Sequence, residues 1–542
     1  MKKIYYQIII IAFSVLLFIP FNGKVHLFDW DEINFAESAR EMIVSGDYLN
    51  VKIGFKPFWE KPPLFIWLQV LSMKIFGINE FASRFPNAIC SIFTLLILFS
   101  IGSKLYSYRF GFIWVLSYML SVLPFLYFKS GIIDPWFNLF IFLGIYYIFR
   151  YFNTENNKIK NSALSAFFIG LSMLTKGPVG LLITGLTVIA FIALKKFKYK
   201  LSLNHILIFA VILTITGGFW FILQIISGNF KIIEDFIFYQ IRLFTTKDAG
   251  HGGFLLYHPV ILFFGVFPAS VFALSKFRFE LNNTSNQNIF KQWMLIVFWI
   301  VLILFTIVKT KIVHYSSMCY FPITFLGALT INEAIENKKF NNKWQMWIIF
   351  SIGFIYCSLL FLLAFFENIK QYILSKFSID EFTKALINAD VSWPKILILF
   401  SGLVFSGFII YSYKQKVLTS FAILAVSVAV FIISSIILIV PRVELHSQNA
   451  LIEFLLSIKD KDCYVNPIGM KSYAHYFYSG LLPDDFKYDS KWLLSNKVDK
   501  DAYFFMRDKK DYSIFEKYND LKLIYKKYGY VFFVKKKENQ IN

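Results

Sequence analysis

The sequence predicts an α-helical polytopic membrane protein that ends in a small α/β domain outside the membrane. Its composition is the first reason: 57% of the 542 residues are hydrophobic and 20% aromatic. A soluble domain cannot hide that much apolar surface, because its own exterior must carry more charge. Second, apolar runs of roughly 20 residues, long enough to cross the hydrocarbon core, recur along the chain. Third, the pattern turns soluble near Pro441. Ala502–Phe505, Leu521–Ile524 and Tyr530–Val534 read as strands, and Gln448–Ile458 reads as a helix. The expected division is a membrane part, 1–440, and an outer α/β domain, 441–542.

The expected spans are 4–22, 84–103, 110–127, 134–150, 162–175, 178–194, 204–227, 257–275, 292–308, 314–335, 344–366, 393–413 and 417–440, about thirteen crossings. No small-x-small site precedes Asn22-Gly23, so Ile4–Phe21 reads as an uncleaved first span. The net charge of +21 does not point to nucleic acid. The basic residues cluster in short breaks: Lys104/Arg109, Lys158/Lys160, Lys195–Lys200, Lys276/Arg278, Lys338/Lys339/Lys343 and Lys414/Lys416. The positive-inside rule makes these breaks cytoplasmic, with the N-terminus inside and the C-terminal domain outside. Cys90, Cys319 and Cys357 fall in apolar runs and Cys463 has no evident partner, so no disulfide framework is expected.

The outer side collects the polar chemistry. Its first loop, 23–83, carries Asp29-Trp30-Asp31-Glu32, then Glu37, Arg40 and Glu41 on a helix-like stretch Ile33–Val44. Carboxylates at the mouth of a span serve as a general base, bind a metal ion, or cap a helix N-terminus. Pro62-Pro63 opens an apolar stretch to Phe76 that reads as an interfacial helix. Just before it, Lys61 either meets a phosphate or snorkels, and Glu60 is its ion-pair partner or a metal ligand. Asp134, between two spans, is functional or caps the next helix with Pro135. Loop 228–256 holds Arg242 and His251, and a single histidine is a weak metal signal. Lys309-Thr-Lys311-Ile-Val-His314-Tyr315 puts cations at an outer edge, suited to a phosphate or to anchoring the span.

Four of these segments, in order, resemble a known family. They are Asp31-Glu32-x-x-Phe35-Ala36-Glu37-x-x-Arg40-Glu41-Met42, Glu60-Lys61-Pro62-Pro63, Thr175-Lys176-Gly177-Pro178-Val179-Gly180 and Lys311-x-x-His314-Tyr315. Over about the first 340 residues the chain resembles GT-C glycosyltransferases of the protein-mannosyltransferase-like group, and within it the aminoarabinose (lipid A) transferase branch. The resemblance implies a GT-C fold and transfer of a sugar from a polyprenyl-phosphate carrier to a lipid A-like or other envelope acceptor. The setting would be the periplasmic face of the bacterial inner membrane. It implies Asp31, with Glu32 beside it, as catalytic carboxylates and Asp134 as a second acid in the cavity. Lys61, Arg242, Lys311, His314 and Tyr315 would contact the donor phosphate, and Glu60 with His251 would hold a divalent metal. No organic cofactor is implied. Asn34, Phe35 and Val313 stand where that branch carries arginine, tyrosine and proline, which leaves lipid and protein acceptors both open. The rival readings are a protein O-glycosyltransferase of the same fold and a transporter or flippase for a lipid-linked saccharide. Transporters keep ionisable groups near the midplane, whereas here they gather at the outer edges.

Overall fold

Every stretch assigned to the membrane is helical in the computed structural model of the chain. It describes residues 2–29, 31–198, 201–246, 252–339, 342–412, 416–459, 461–508, 518 and 520–537. Five helices are individually long and apolar enough to cross a membrane, or up to eight when each bent pair is one span. Lys3–Phe18, Val179–Leu194 and Ile396–Tyr411 are shorter apolar helices. Asp134–Asn153 and Lys158–Lys176 are longer but more polar. This last pair closes tightly because its contact residues are small. A Cβ on Gly144 would lie 2.7 Å from Ile169, and the Ser165 hydroxyl donates to the Gly144 carbonyl at 2.9 Å.

Three expected spans are broken rather than straight. The pairs Tyr108–Met119 with Val122–Phe128, Leu203–Gly217 with Phe219–Ile226, and Tyr257–Gly265 with Ala269–Lys276 bend by 78°, 60° and 110°. Gly217-Gly218 and Pro268 mark two of these breaks, since neither residue type sustains a helix interior. Aromatic rings fill the bundle core, with Trp114, Phe290 and Phe325 in edge contact and Phe142 stacked on Phe321 at 4.4 Å.

The outer layer begins with helix Asp31–Ser45, whose acidic first turn suits the positive end of the helix dipole. A hairpin follows, β1 (Lys52–Ile53) against β2 (Lys56–Pro57), and then helix Leu64–Phe76. Gly54 and Phe55 at the hairpin tip both have positive φ (64° and 55°), as a two-residue turn between twisted strands requires. Phe55 pays in strain, and the Glu41 carboxylate steadies it by accepting the Gly54 and Phe55 amides at 2.5 and 2.8 Å. The loop 228–256 contains an amphipathic helix, Phe230–Thr245, and 367–392 contains most of helix Phe366–Lys376 and all of Glu381–Ile387.

The last membrane helix runs through residue 440 to Leu445, so the soluble part starts beyond it. Its sheet comprises β3 (Cys463–Pro467), β4 (Asp501–Arg507), β5 (Leu521–Lys527) and β6 (Tyr530–Lys535), in the order β3-β4-β6-β5. β3 runs parallel to β4, and the other pairs are antiparallel. Residues alternate between the sheet faces. Ala502, Phe504 and Phe533 fill a core of the domain's own. Phe505 and Phe532 instead join Leu27, Ile33, Phe35 and Met42 of the first loop in one shared core. The first outer loop and the C-terminal domain are therefore built as a unit.

One ion pair ties this unit to the bundle. Arg84, near the outer end of helix Glu80–Leu105, uses all its guanidinium donors. It grips both Glu32 oxygens (2.9 and 2.8 Å) and the carbonyls of Asn22, Val25 and His26. Arg84→Met would strand a buried carboxylate, a loss of about 3–5 kcal/mol. The expected outcome is a markedly lower melting temperature of the detergent-solubilised chain.

Candidate active site

Five segments converge beside that anchor. Helix Asp31–Ser45 brings Asp31, the approach to helix Leu64–Phe76 brings Lys61, and helix Asp134–Asn153 begins with Asp134. Lys176 ends helix Lys158–Lys176, and a 3-10 turn, Val313–Cys319, carries His314 and Tyr315. Lys61, Asp134, Asn138, Lys176 and Tyr315 line one cavity. At its mouth the half-exposed Asp31 carboxylate lies 3.7 Å from His314 Nε2. Asp31, Asp134, Lys61 and Lys176 all lie within electrostatic range of that imidazole.

The cations are held by walls, not left to water. Lys61 Nζ sits 5.1 Å from the Tyr239 ring centroid, and Arg242 lies 5.1 Å from the same ring, at distances where a π face attracts a cation. Burial pulls the Lys61 ammonium below its ordinary range, with Glu60, Asp31 and Asp134 opposing and Lys176 assisting. Lys176 Nζ donates to Asp134 Oδ1 at 2.7 Å and lies 5.5 Å from the Phe137 and Tyr315 rings. Gly177 follows with φ of 89°, and a Cβ there would lie 2.6 Å from Phe236. Only glycine lets helix Phe230–Thr245, with its Tyr239 platform, come this close.

The 3-10 turn is positioned from beneath. Asn138 donates to Ser317 Oγ at 2.8 Å, and Ser317 Oγ donates to the His314 carbonyl at 2.6 Å. His258 Nδ1 and Ser316 Oγ are 3.1 Å apart.

Two expected site residues have other work. Glu32, expected as a catalytic carboxylate, is buried and saturated: besides Arg84 it accepts the Phe28 and Gly131 amides at 3.0 and 2.5 Å. Burial alone would raise its carboxyl, but Arg84 and those amides hold it below the usual range. Glu32 is an anchor. Lys311, expected at the donor phosphate, donates to the Phe305 and Thr306 carbonyls at 2.9 and 2.6 Å. It caps the end of helix Asn286–Ile307, where the dipole favours a cation.

Asp134 lines the cavity, yet it is buried and paired with Lys176, so it holds a cation in place and is not an open base. Lys176 and Tyr239 are the residues that sequence reasoning passed over as site members. The signal for Lys176 was a lysine at an outer hinge, against the positive-inside trend. Tyr239 had none.

His251 lies outside the described residues. Glu60 is half-buried, and among the described residues it makes no hydrogen bond or ion pair. Among those residues no group of three or more His, Cys, Asp or Glu is placed to hold a metal ion.

The family described as dolichyl-phosphate-mannose-protein mannosyltransferase matches residues 60–220. A relative from Wigglesworthia glossinidia brevipalpis, an undecaprenyl phosphate-α-4-amino-4-deoxy-L-arabinose arabinosyl transferase, is 26% identical over 71% of this chain and 69% of its own length. One of the same name from Photorhabdus laumondii is 25% identical over 60% of this chain, and the match spans 59% of the relative. The crystal structure of ArnT from Cupriavidus metallidurans bound to undecaprenyl phosphate superposes with a TM-score of 0.77 at 14% identity, covering 99% of both chains. At that identity the likeness shows a shared fold: the chain has the architecture of the ArnT structure. That architecture explains the layout, in which a bundle is capped by an outer unit and the polar cavity lies between them.

In that outer unit Arg40 grips Glu37 through two bonds of 2.7 Å and donates to the Leu481 carbonyl at 2.8 Å. Burial, then the Glu37 charge, pushes the neighbouring Glu41 carboxyl up to about 8. The fold thus binds a proton there that the unfolded chain releases above its ordinary carboxyl range. The Glu41 contribution is full only below its ordinary carboxyl value of 4.5 and is lost progressively as pH rises from there to about 8. Thermal melts between pH 5 and 9 should show stability falling with pH, and Glu41→Gln should flatten that slope.

Proposed function

We propose that the chain is a glycosyltransferase that moves a sugar from a polyprenyl-phosphate carrier to a lipid A-like or other envelope acceptor, by a single inverting displacement. The observation that carries this reading is a half-exposed carboxylate beside a cavity lined by held cations: Asp31 next to His314 and within electrostatic range of Lys61, with Lys61 and Lys176 lining the cavity. As the glycosidic bond breaks, charge grows on the leaving phosphate, and ammonium groups already fixed in low dielectric stabilise it without reorganisation. Lys61 is fixed by Tyr239, and Lys176 by Asp134 and Tyr315. A hydroxyl acceptor gives its proton to Asp31, with His314 beside it to orient the carboxylate. A phosphate acceptor needs no base, and Asp31 then positions it. Attack opposite the leaving phosphate inverts the anomeric centre. The relatives' names supply the carrier and sugar class, and the ArnT structure holds undecaprenyl phosphate.

The same reading puts the protein in the inner membrane, N-terminus in the cytoplasm and C-terminal domain in the periplasm, on the strength of the basic clusters. A protein acceptor is the second reading, favoured by the protein-mannosyltransferase family match. Mass spectrometry of envelope lipids and glycoproteins from a deletion strain separates the two.

Asp31→Asn, assayed in membranes with a radiolabelled polyprenyl-phosphate sugar, should cut transfer by about 100-fold or more at normal protein level. Full activity would refute the assignment. A divalent ion held by Glu60 and His251 would neutralise charge on the departing phosphate. Chelation should then slow transfer and added metal restore it, while an unchanged rate removes the metal from the proposal.

A further inference from the structure

The first-loop hairpin does not end in solvent. The Phe55 ring meets Phe486 edge-on at 5.4 Å, and a Cβ on Gly54 would lie 3.1 Å from that ring and 3.6 Å from Tyr476. Beside this seat opens a cleft of about 420 Å³, walled by Tyr476, Phe486, Tyr488 and Trp492. Asn466, Asp485, Lys487 and Asp489 from the C-terminal domain and Lys56 from the hairpin supply its polar lining. That volume is within the roughly 300–1,000 Å³ of small-molecule sites. None of the catalytic-cavity residues lines it.

The rings are set before any ligand arrives. Tyr488 and Trp492 stack at 3.5 Å with planes 7° apart. Asp489 accepts the Trp492 amide at 2.8 Å, fixing the short helix Ser490–Ser495 that bears the indole. Tyr476 rests 3.9 Å from the buried His475 ring and 5.0 Å from Phe486. Tyr488 and Trp492 are only half-buried, although a folding core would hide such rings. Lys56 is exposed and carries no ion pair among the described residues.

Half-exposed ring faces next to an amide, a carboxylate and an ammonium fit one ligand chemistry. The C–H bonds of a sugar ring bear small positive charges that the negative faces of aromatic rings attract, while its hydroxyls use donors and acceptors of both kinds. An acyl chain would desolvate Lys56 and Asp489 without return. A bare phosphate would leave the rings unused.

We propose that this cleft binds a saccharide portion of the acceptor, an inference that rests on the transferase reading above. Five residues of chain, at most about 18 Å, join Lys56 at the cleft to Lys61 at the cavity. An acceptor carrying more than one sugar can therefore be held at the cleft while its far end reaches Asp31. The C-terminal domain thereby selects a glycan-bearing acceptor.

The test is calorimetry or saturation-transfer NMR on the full chain in detergent, with N,N′-diacetylchitobiose, lactose and inorganic phosphate as probes. At least one disaccharide should bind, and phosphate should not displace it. Trp492→Ala should weaken that binding at least tenfold, and Lys56→Ala, an exposed site that leaves folding alone, several-fold. Binding that survives both substitutions, or no disaccharide binding by a chain that still transfers sugar, overturns the cleft. Disaccharide binding by a chain that transfers nothing would instead overturn the transferase reading and leave the cleft as a glycan site.

Discussion

The Arg84–Glu32 ion pair is the constraint on which the rest of the outer architecture depends. It joins the segment leaving the first helix, the start of helix Asp31–Ser45, the helix Glu80–Leu105 and, through Gly131, the turn that leads into Asp134. Asn87, one turn further along the Arg84 helix, pins the same turn by donating to the Ser130 and Ile132 carbonyls at 2.6 Å each. A buried ion pair stabilises a fold only when its remaining donors and acceptors are satisfied, and here they are. The geometry that sets Asp31 beside one wall of the cavity and Asp134 in another is a consequence of that pair.

A second consequence is the fusion of loop and domain. The segment 26–29 is fastened to the C-terminal part by His26 with Glu444, by Gln448 and Tyr478 on Leu27, and by Asp29 with Ser472. Burial raises the Asp29 carboxyl against the pull of Ser472 and the Tyr473 amide. The shared apolar core then makes the sheet domain a support for the helix that carries Asp31.

Within the cavity the carboxylates divide their tasks by exposure. Asp31 is open at the mouth, Asp134 is closed around Lys176, and Glu32 is closed around Arg84. Asn34 is buried with its amide oxygen lacking a hydrogen-bond partner among the described residues. An unpaired buried acceptor is costly, and it lies on the same helix as Asp31.

The sequence by itself determined the membrane class, the helical segments, β4 to β6 and the order of the motifs, because hydropathy and alternation are local properties of the chain. It missed β3, a five-residue strand with little alternation to read, and the amphipathic helix Phe230–Thr245 inside what looked like a loop. Tertiary structure decided which charged residues are free to act. Asp31 and Glu32 are neighbours in sequence, yet the helical turn of about 100° per residue sends one to the cavity and the other to Arg84, 52 positions away. Lys176 and Lys311 each sit at an outer helix end, and only their surroundings separate a cavity cation from a helix cap. Such partners lie far apart in the chain, so no local pattern records them.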